Sequence, residues 1–128
     1  MTTKYFFTLL LLLSFTVLAQ AQKVIQVTSN EVSTMLAKDK KWVVLDVRTP
    51  DEFKEGHIKN AINIDINSDD AFQKIDKLNK NSKYIVHCRS NHRSGIAVDY
   101  MNKHGFKTIY QMKDGFSGWS TNNKPIEK

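Results

Sequence analysis

Short β-rich apolar runs alternate along this chain with stretches whose apolar residues recur at helical spacing. Val24-Ile25-Gln26-Val27 predicts a strand, and Thr28-Ser29-Asn30-Glu31 supplies capping side chains for a helix with Val32, Met35 and Leu36 on one face. After the polar turn Asp39-Lys40-Lys41 comes Trp42-Val43-Val44-Leu45-Asp46-Val47, an almost unbroken apolar run of the kind buried on both faces of a parallel sheet. Thr49-Pro50-Asp51-Glu52 opens a short helix, with Pro50 suited to its first position, Phe53 as its buried residue and Gly56 as its stop. Ala61-Ile62-Asn63-Ile64 predicts another strand, and Ser68-Asp69-Asp70 caps a helix carrying Phe72, Ile75 and Leu78. Tyr84-Ile85-Val86-His87 follows a polar turn as the next strand. From Ser94, the residues Ile96, Ala97, Tyr100 and Met101 form a one-sided helix that Gly105 ends. Thr108 to Met112 is a strand, Asp114-Gly115 a turn, Phe116 to Trp119 a helical turn, and Pro125 closes the domain.

This alternation predicts one α/β domain, with a central, mainly parallel sheet of about five strands and helices on both faces. Trp42, Phe53, Phe72, Phe106, Phe116 and Trp119 are assigned to its core, with Trp119 also placed to wall a pocket.

The first residues follow a different pattern. Lys4 precedes an apolar stretch containing five consecutive leucines, Leu9 to Leu13, and Ala19-Gln20-Ala21 supplies small residues at a cleavage step. This predicts a signal peptide over residues 1–21 and a domain over 22–128, exported to the periplasm or secreted after cleavage near Ala21. The apolar stretch falls short of the roughly 20 residues that span a bilayer, so no stable membrane association is expected after cleavage.

A formal charge of +6 comes mostly from scattered lysines mixed with acids. Without a continuous basic stripe or interleaved aromatics, nucleic acid is excluded as a partner, although a mild positive field helps collect anions. The single cysteine, Cys88, rules out an internal disulfide. Its neighbours Arg89, Ser90, Asn91, His92 and Arg93 are polar, which argues against an inert core thiol. Where a strand gives way to a helix, unpaired backbone N–H groups and the helix dipole favour a thiolate and hold an anion beside it. Cys88 is therefore the candidate nucleophile or sulfur carrier.

Leu45-Asp46-Val47-Arg48-Thr49-Pro50-Asp51-Glu52-Phe53, with Gly56-His57-Ile58 and Ala61-Ile62-Asn63-Ile64, resembles the N-terminal signature of rhodanese-like domains. Asp114-Gly115-Phe116-Ser117-Gly118-Trp119 resembles their Gly-Gly-x-x-x-Trp segment, with Asp114 in place of the first glycine. Cys88-Arg89-Ser90-Asn91-His92-Arg93-Ser94 resembles the family's active-site loop, commonly Cys-Arg-Ser-Gly-x-Arg-Ser.

The resemblance implies a small thiosulfate sulfurtransferase of the exported single-domain type. Cys88 would take sulfur from a small anionic donor such as thiosulfate and pass it, as a persulfide, to cyanide or a thiol. No cofactor or metal is called for, and the oligomeric state is left open. Residues 89 to 94 form the loop that cradles the intermediate. Arg93 orients substrate or braces the loop, and Arg89 meets the donor's anionic end or is simply solvated. His92 is a proton donor, a cationic contact or an exposed loop residue, and His57 is structural. Asn91 suits the usual glycine position if that position requires a positive φ. Asp46 is expected to stabilise the loop with Arg93 or loop N–H groups as its partner. Arg48 is assigned either to substrate or to Glu52 one helical turn on.

Two other classes compete. Phosphatases and arsenate reductases of related fold use Cys-x5-Arg, whereas four residues separate Cys88 from Arg93, and Ser94 stands where their arginine belongs. A non-catalytic sulfur-carrier or protein-binding module is disfavoured by the presence of both Cys88 and Arg93.

Overall fold

The computed structural model describes residues 23–128, and the signal peptide assigned to residues 1–21 lies outside them. Five strands form one sheet: β1 (Ile25–Val27), β2 (Trp42–Asp46), β3 (Ile62–Asn63), β4 (Lys83–His87) and β5 (Thr108–Met112). The spatial order is β1-β5-β4-β2-β3, and every pairing is parallel. The helices are α1 (Ser29–Lys38), α2 (Pro50–Glu55), α3 (Ala71–Asp76), α4 (His92–Lys103) and α5 (Gly115–Thr121).

Local chemistry starts two of these helices. Thr28 and Glu31 make a reciprocal capping box on α1, and Thr49 and Glu52 make another on α2, where Pro50 also pre-sets the first turn. The sheet separates two apolar clusters. Ile75, Val86, Ala97, Met101 and Phe106 pack on the side of α3 and α4, while Val32, Ile85, Met112 and Trp119 pack on the side of α1 and α5. Burial on both faces explains the unbroken apolar runs of β2 and β4, two of the three inner strands.

Three packing expectations change. Phe72 is 41% exposed and stacks on Tyr100 at 4.2 Å instead of entering the core. The short α3 buries only Ala71 and Ile75, which leaves Phe72 on its outer side. Phe53 is half-buried and stacks on His57 at 3.8 Å. α4 begins at His92, two residues earlier than the apolar spacing indicated, because a first helical turn need not be apolar.

Candidate active site

The parallel strands deliver their carboxyl ends to one edge, where open α/β sheets handle ligands. The central strand β4 ends at His87, so Cys88 leaves the sheet at the middle of that edge. Residues 89–91 turn the chain, and α4 begins immediately after them. Among the described residues, no hydrogen bond takes up the backbone N–H groups of residues 89–94. Cys88 is only 1% exposed, whereas Arg89, Ser90, Asn91 and His92 are exposed around it. The Cys88 thiol faces Ser94 Oγ at 3.5 Å. The sulfur is thus recessed behind a loop rich in unpaired donors, an arrangement suited to an anion.

A second element braces this loop. The first residues of α5 donate to its carbonyls, Phe116 N to Cys88 O at 2.8 Å and Ser117 N to Arg89 O at 3.0 Å. Gly115 makes that approach possible. Its φ is +61°, and a Cβ there would stand 2.4 Å from Arg89 O and 2.5 Å from Ser90 O. Asp114, the departure from the usual glycine, accepts from Ser29 N at 2.8 Å and from Ser29 Oγ at 2.6 Å. It therefore ties the start of α1 to the turn that holds the loop.

The ion pairs differ from the expected ones. Asp46 does not reach Arg93 or the loop N–H groups. It accepts from Arg48 Nε at 3.0 Å, from Arg48 Nη2 at 2.7 Å and from Arg48 N at 3.0 Å. Arg48 does not pair with Glu52; it is 3% exposed, also donates to Gly56 O at 2.7 Å, and lies 3.9 Å over the Phe116 ring. A two-residue separation at a strand end lets the Arg48 side chain fold back on Asp46, and burial makes that pairing necessary.

Glu52 instead receives both terminal nitrogens of Arg93, at 2.7 and 3.0 Å. These bonds hold the Glu52 carboxyl down at about 2, well below its ordinary value. Arg93 is shifted upward in turn, chiefly by Glu52. The pairing ties Arg93, in the first turn of α4, to Glu52 on α2.

The other candidates separate. Ser94 joins Cys88, and Arg89 lies at the rim of a groove of about 640 Å³ lined also by Arg48, Glu52, Phe116 and Lys128. Trp119 does not wall this groove; it is 3% exposed and lines a different hollow with Trp42 and Ile58. Asn91 has φ −151°, so its position requires no positive φ. His92 is exposed at the first position of α4. His57 is structural: its ring meets Phe53 O at 2.9 Å and its backbone bridges to Glu127. His87 is fully buried, with Nδ1 3.0 Å from Cys88 O and Nε2 3.7 Å from Asp46 Oδ2. Burial pushes its pKa down, and the Asp46 charge opposes that only in part.

Sequence reasoning missed Glu52 as the partner of Arg93, Gln111 beside Ser94, and Asp114 as the tie to α1. Gln111 carried a signal. It is a polar residue within an apolar strand, which calls for a buried partner.

Comparison with known proteins agrees with this geometry. The model of the family described as rhodanese-like domain matches residues 28–122. YtwF of Bacillus subtilis, named as a candidate sulfurtransferase, is 33% identical over 101 residues, covering 75% of this chain and 95% of its own. A mitochondrial protein of Schizosaccharomyces pombe, named as a candidate thiosulfate sulfurtransferase, is 36% identical over 93 residues, covering 64% of this chain and 66% of its own. The crystal structure of a rhodanese-related protein from Thermoplasma volcanium superposes with a TM-score of 0.67 at 29% identity, covering 82% of this chain and 97% of that one.

Proposed function

Since this chain belongs to the rhodanese-like domain family, we propose that it is a sulfurtransferase whose sulfur is carried on Cys88. The donor is thiosulfate or a similar small anion. Cys88 thiolate attacks its outer sulfur, a new S–S bond forms, and the old one breaks as sulfite leaves with the electron pair. A nucleophilic acceptor, cyanide or a thiolate, then attacks the terminal sulfur of the persulfide and returns Cys88 as thiolate. Each step is anionic throughout, so no proton has to move during transfer.

One observation carries this reading: the recessed Cys88 sulfur sits in a loop whose N–H groups at residues 89–94 have no partner among the described residues. Donors fixed in place before reaction stabilise the persulfide anion without reorganisation. Arg89, exposed on the loop, meets the donor's sulfonate end. Arg93 keeps the loop in shape through Glu52 and does not bind the donor itself. The groove beside Arg89 has room for an acceptor thiol larger than cyanide.

The short Cys88-to-Arg93 spacing favours sulfur over phosphorus, and a hydroxyl stands at position 94 where a phosphatase needs a guanidinium. We place the reaction in the periplasm or outside the cell, with residues 1–21 removed as a signal peptide and residues 22–128 as the working domain.

The intact mass after thiosulfate treatment tests the proposal. One added sulfur atom is expected on the native protein and none on Cys88→Ala. No adduct, together with hydrolysis of a phosphate ester, would overturn it.

A further inference from the structure

The Gln111 side chain on β5 is 4% exposed, and all of its polar groups are engaged. Oε1 accepts from Gln26 Nε2 at 2.8 Å. Nε2 donates to Ser94 Oγ at 2.8 Å and to Asn91 O at 3.2 Å. The reverse orientation of the amide would set Oε1 against the Asn91 carbonyl, so the Gln26 bond and the Asn91 bond agree on one orientation.

Ser94 has one hydroxyl proton and two possible destinations for it. Asn91 O lies at 3.0 Å and Cys88 Sγ at 3.5 Å. With Cys88 as a thiol, S–H donates to Ser94 Oγ and the Ser94 proton rests on Asn91 O. A thiolate has no proton to give and can only accept. Asn91 O then does not need Ser94, because Gly95 N at 3.0 Å and Gln111 Nε2 at 3.2 Å already occupy a carbonyl's two lone pairs.

We propose that Gln111 is a positioning residue: by holding Ser94 Oγ as an acceptor and satisfying the Asn91 carbonyl, it releases the Ser94 hydroxyl proton to the charged sulfur of Cys88. Gln26 fixes the amide that does this. The effect acts on the thiolate, and equally on the persulfide of the transfer proposed above. On ionising, Cys88 gives its own proton to solvent; the Ser94 proton stays on its oxygen, and that O–H only rotates from Asn91 O to the sulfur.

The proposal rests on Cys88 reacting as a thiolate but not on the identity of the sulfur donor. The rate of alkylation of the sole cysteine by iodoacetamide is therefore the readout, taken as the ratio of rates at pH 7 and pH 10. That ratio cancels access to the recessed sulfur. A hydrogen bond to a charged group has a size that predicts a fall in this ratio of about tenfold in both Gln111→Met and Ser94→Ala. Because Gln111 acts through Ser94, the double variant should show no further fall.

Two results would overturn the proposal: a ratio left unchanged in Gln111→Met, as equal losses at both pH values would leave it, or additive losses in the double variant. Sulfur loading by intact mass is scored separately. A chain that loads sulfur with an unchanged alkylation ratio therefore defeats the role of Gln111 and leaves the sulfurtransferase reading standing.

Discussion

Glu52→Gln keeps the shape of the side chain and an oxygen able to cap α2, but removes the charge that faces Arg93. In the native protein Glu52 titrates at about 2 against an ordinary 4.5. Taken at face value, that difference is about 3.4 kcal/mol of stability at neutral pH. The side chains of Arg93 and Glu52 are 20% and 27% exposed, so solvent screening lowers the expected loss in Glu52→Gln to about 1–2 kcal/mol.

The sign with pH follows from the direction of the shift. A carboxylate whose folded pKa is depressed contributes fully above its unfolded value, and the contribution disappears as pH falls through the folded one. The stability difference between native protein and Glu52→Gln should be constant above about pH 5 and shrink toward zero between about 4.5 and 2. Asp39 and Asp70 are also lowered, by Lys83 and Lys74, but are common to both proteins and cancel. Urea unfolding followed by fluorescence of Trp42 and Trp119 gives the difference at each pH. Equal stability at pH 7, or a difference that persists unchanged at pH 2.5, would refute the assignment of Glu52 as the charged brace of the loop.

Two further outcomes are expected. Gly115→Ala places a methyl group 2.4 Å from Arg89 O at a φ of +61°, so it should cost at least about 2 kcal/mol by thermal unfolding and lower sulfur loading on Cys88. Native loading and melting together would show that α5 does not brace the loop. His87, neutralised by burial and faced by Asp46 and Arg48, contributes stability that is complete above about pH 6.5 and declines as pH falls below it. His87→Gln should flatten that decline between pH 7.5 and 5.5 in denaturant titrations, whereas an identical slope would mean that His87 charges freely in the fold.

Patterns within a few residues of one another made much of this molecule legible. Continuous apolar runs at β2 and β4 and the alternation with amphipathic stretches specified a buried parallel sheet. Thr28 with Glu31, and Thr49 with Pro50 and Glu52, marked helix starts because capping is a contact between near neighbours. The position of Cys88 at a strand-to-helix turn, among polar residues, was readable for the same reason. Even Asp46 was recognisable as a buried carboxylate in need of a partner.

Which partner it takes is a different kind of question. Arg48 won Asp46 because strand burial removes both from water together, leaving Arg93 to Glu52 across 41 positions of chain. Gln111 reaches Ser94 only because β5 lies beside β4, and Asp114 reaches Ser29 because β1 lies on the far side of β5. Periodicity encodes the face on which a side chain emerges. It does not encode the strand order or register that decide which side chains meet there. Local pattern was enough for the sheet, its helices and the place of Cys88 between them; the bonds that hold the loop around that sulfur come from tertiary structure, because they join residues brought together only by the order of strands in the sheet.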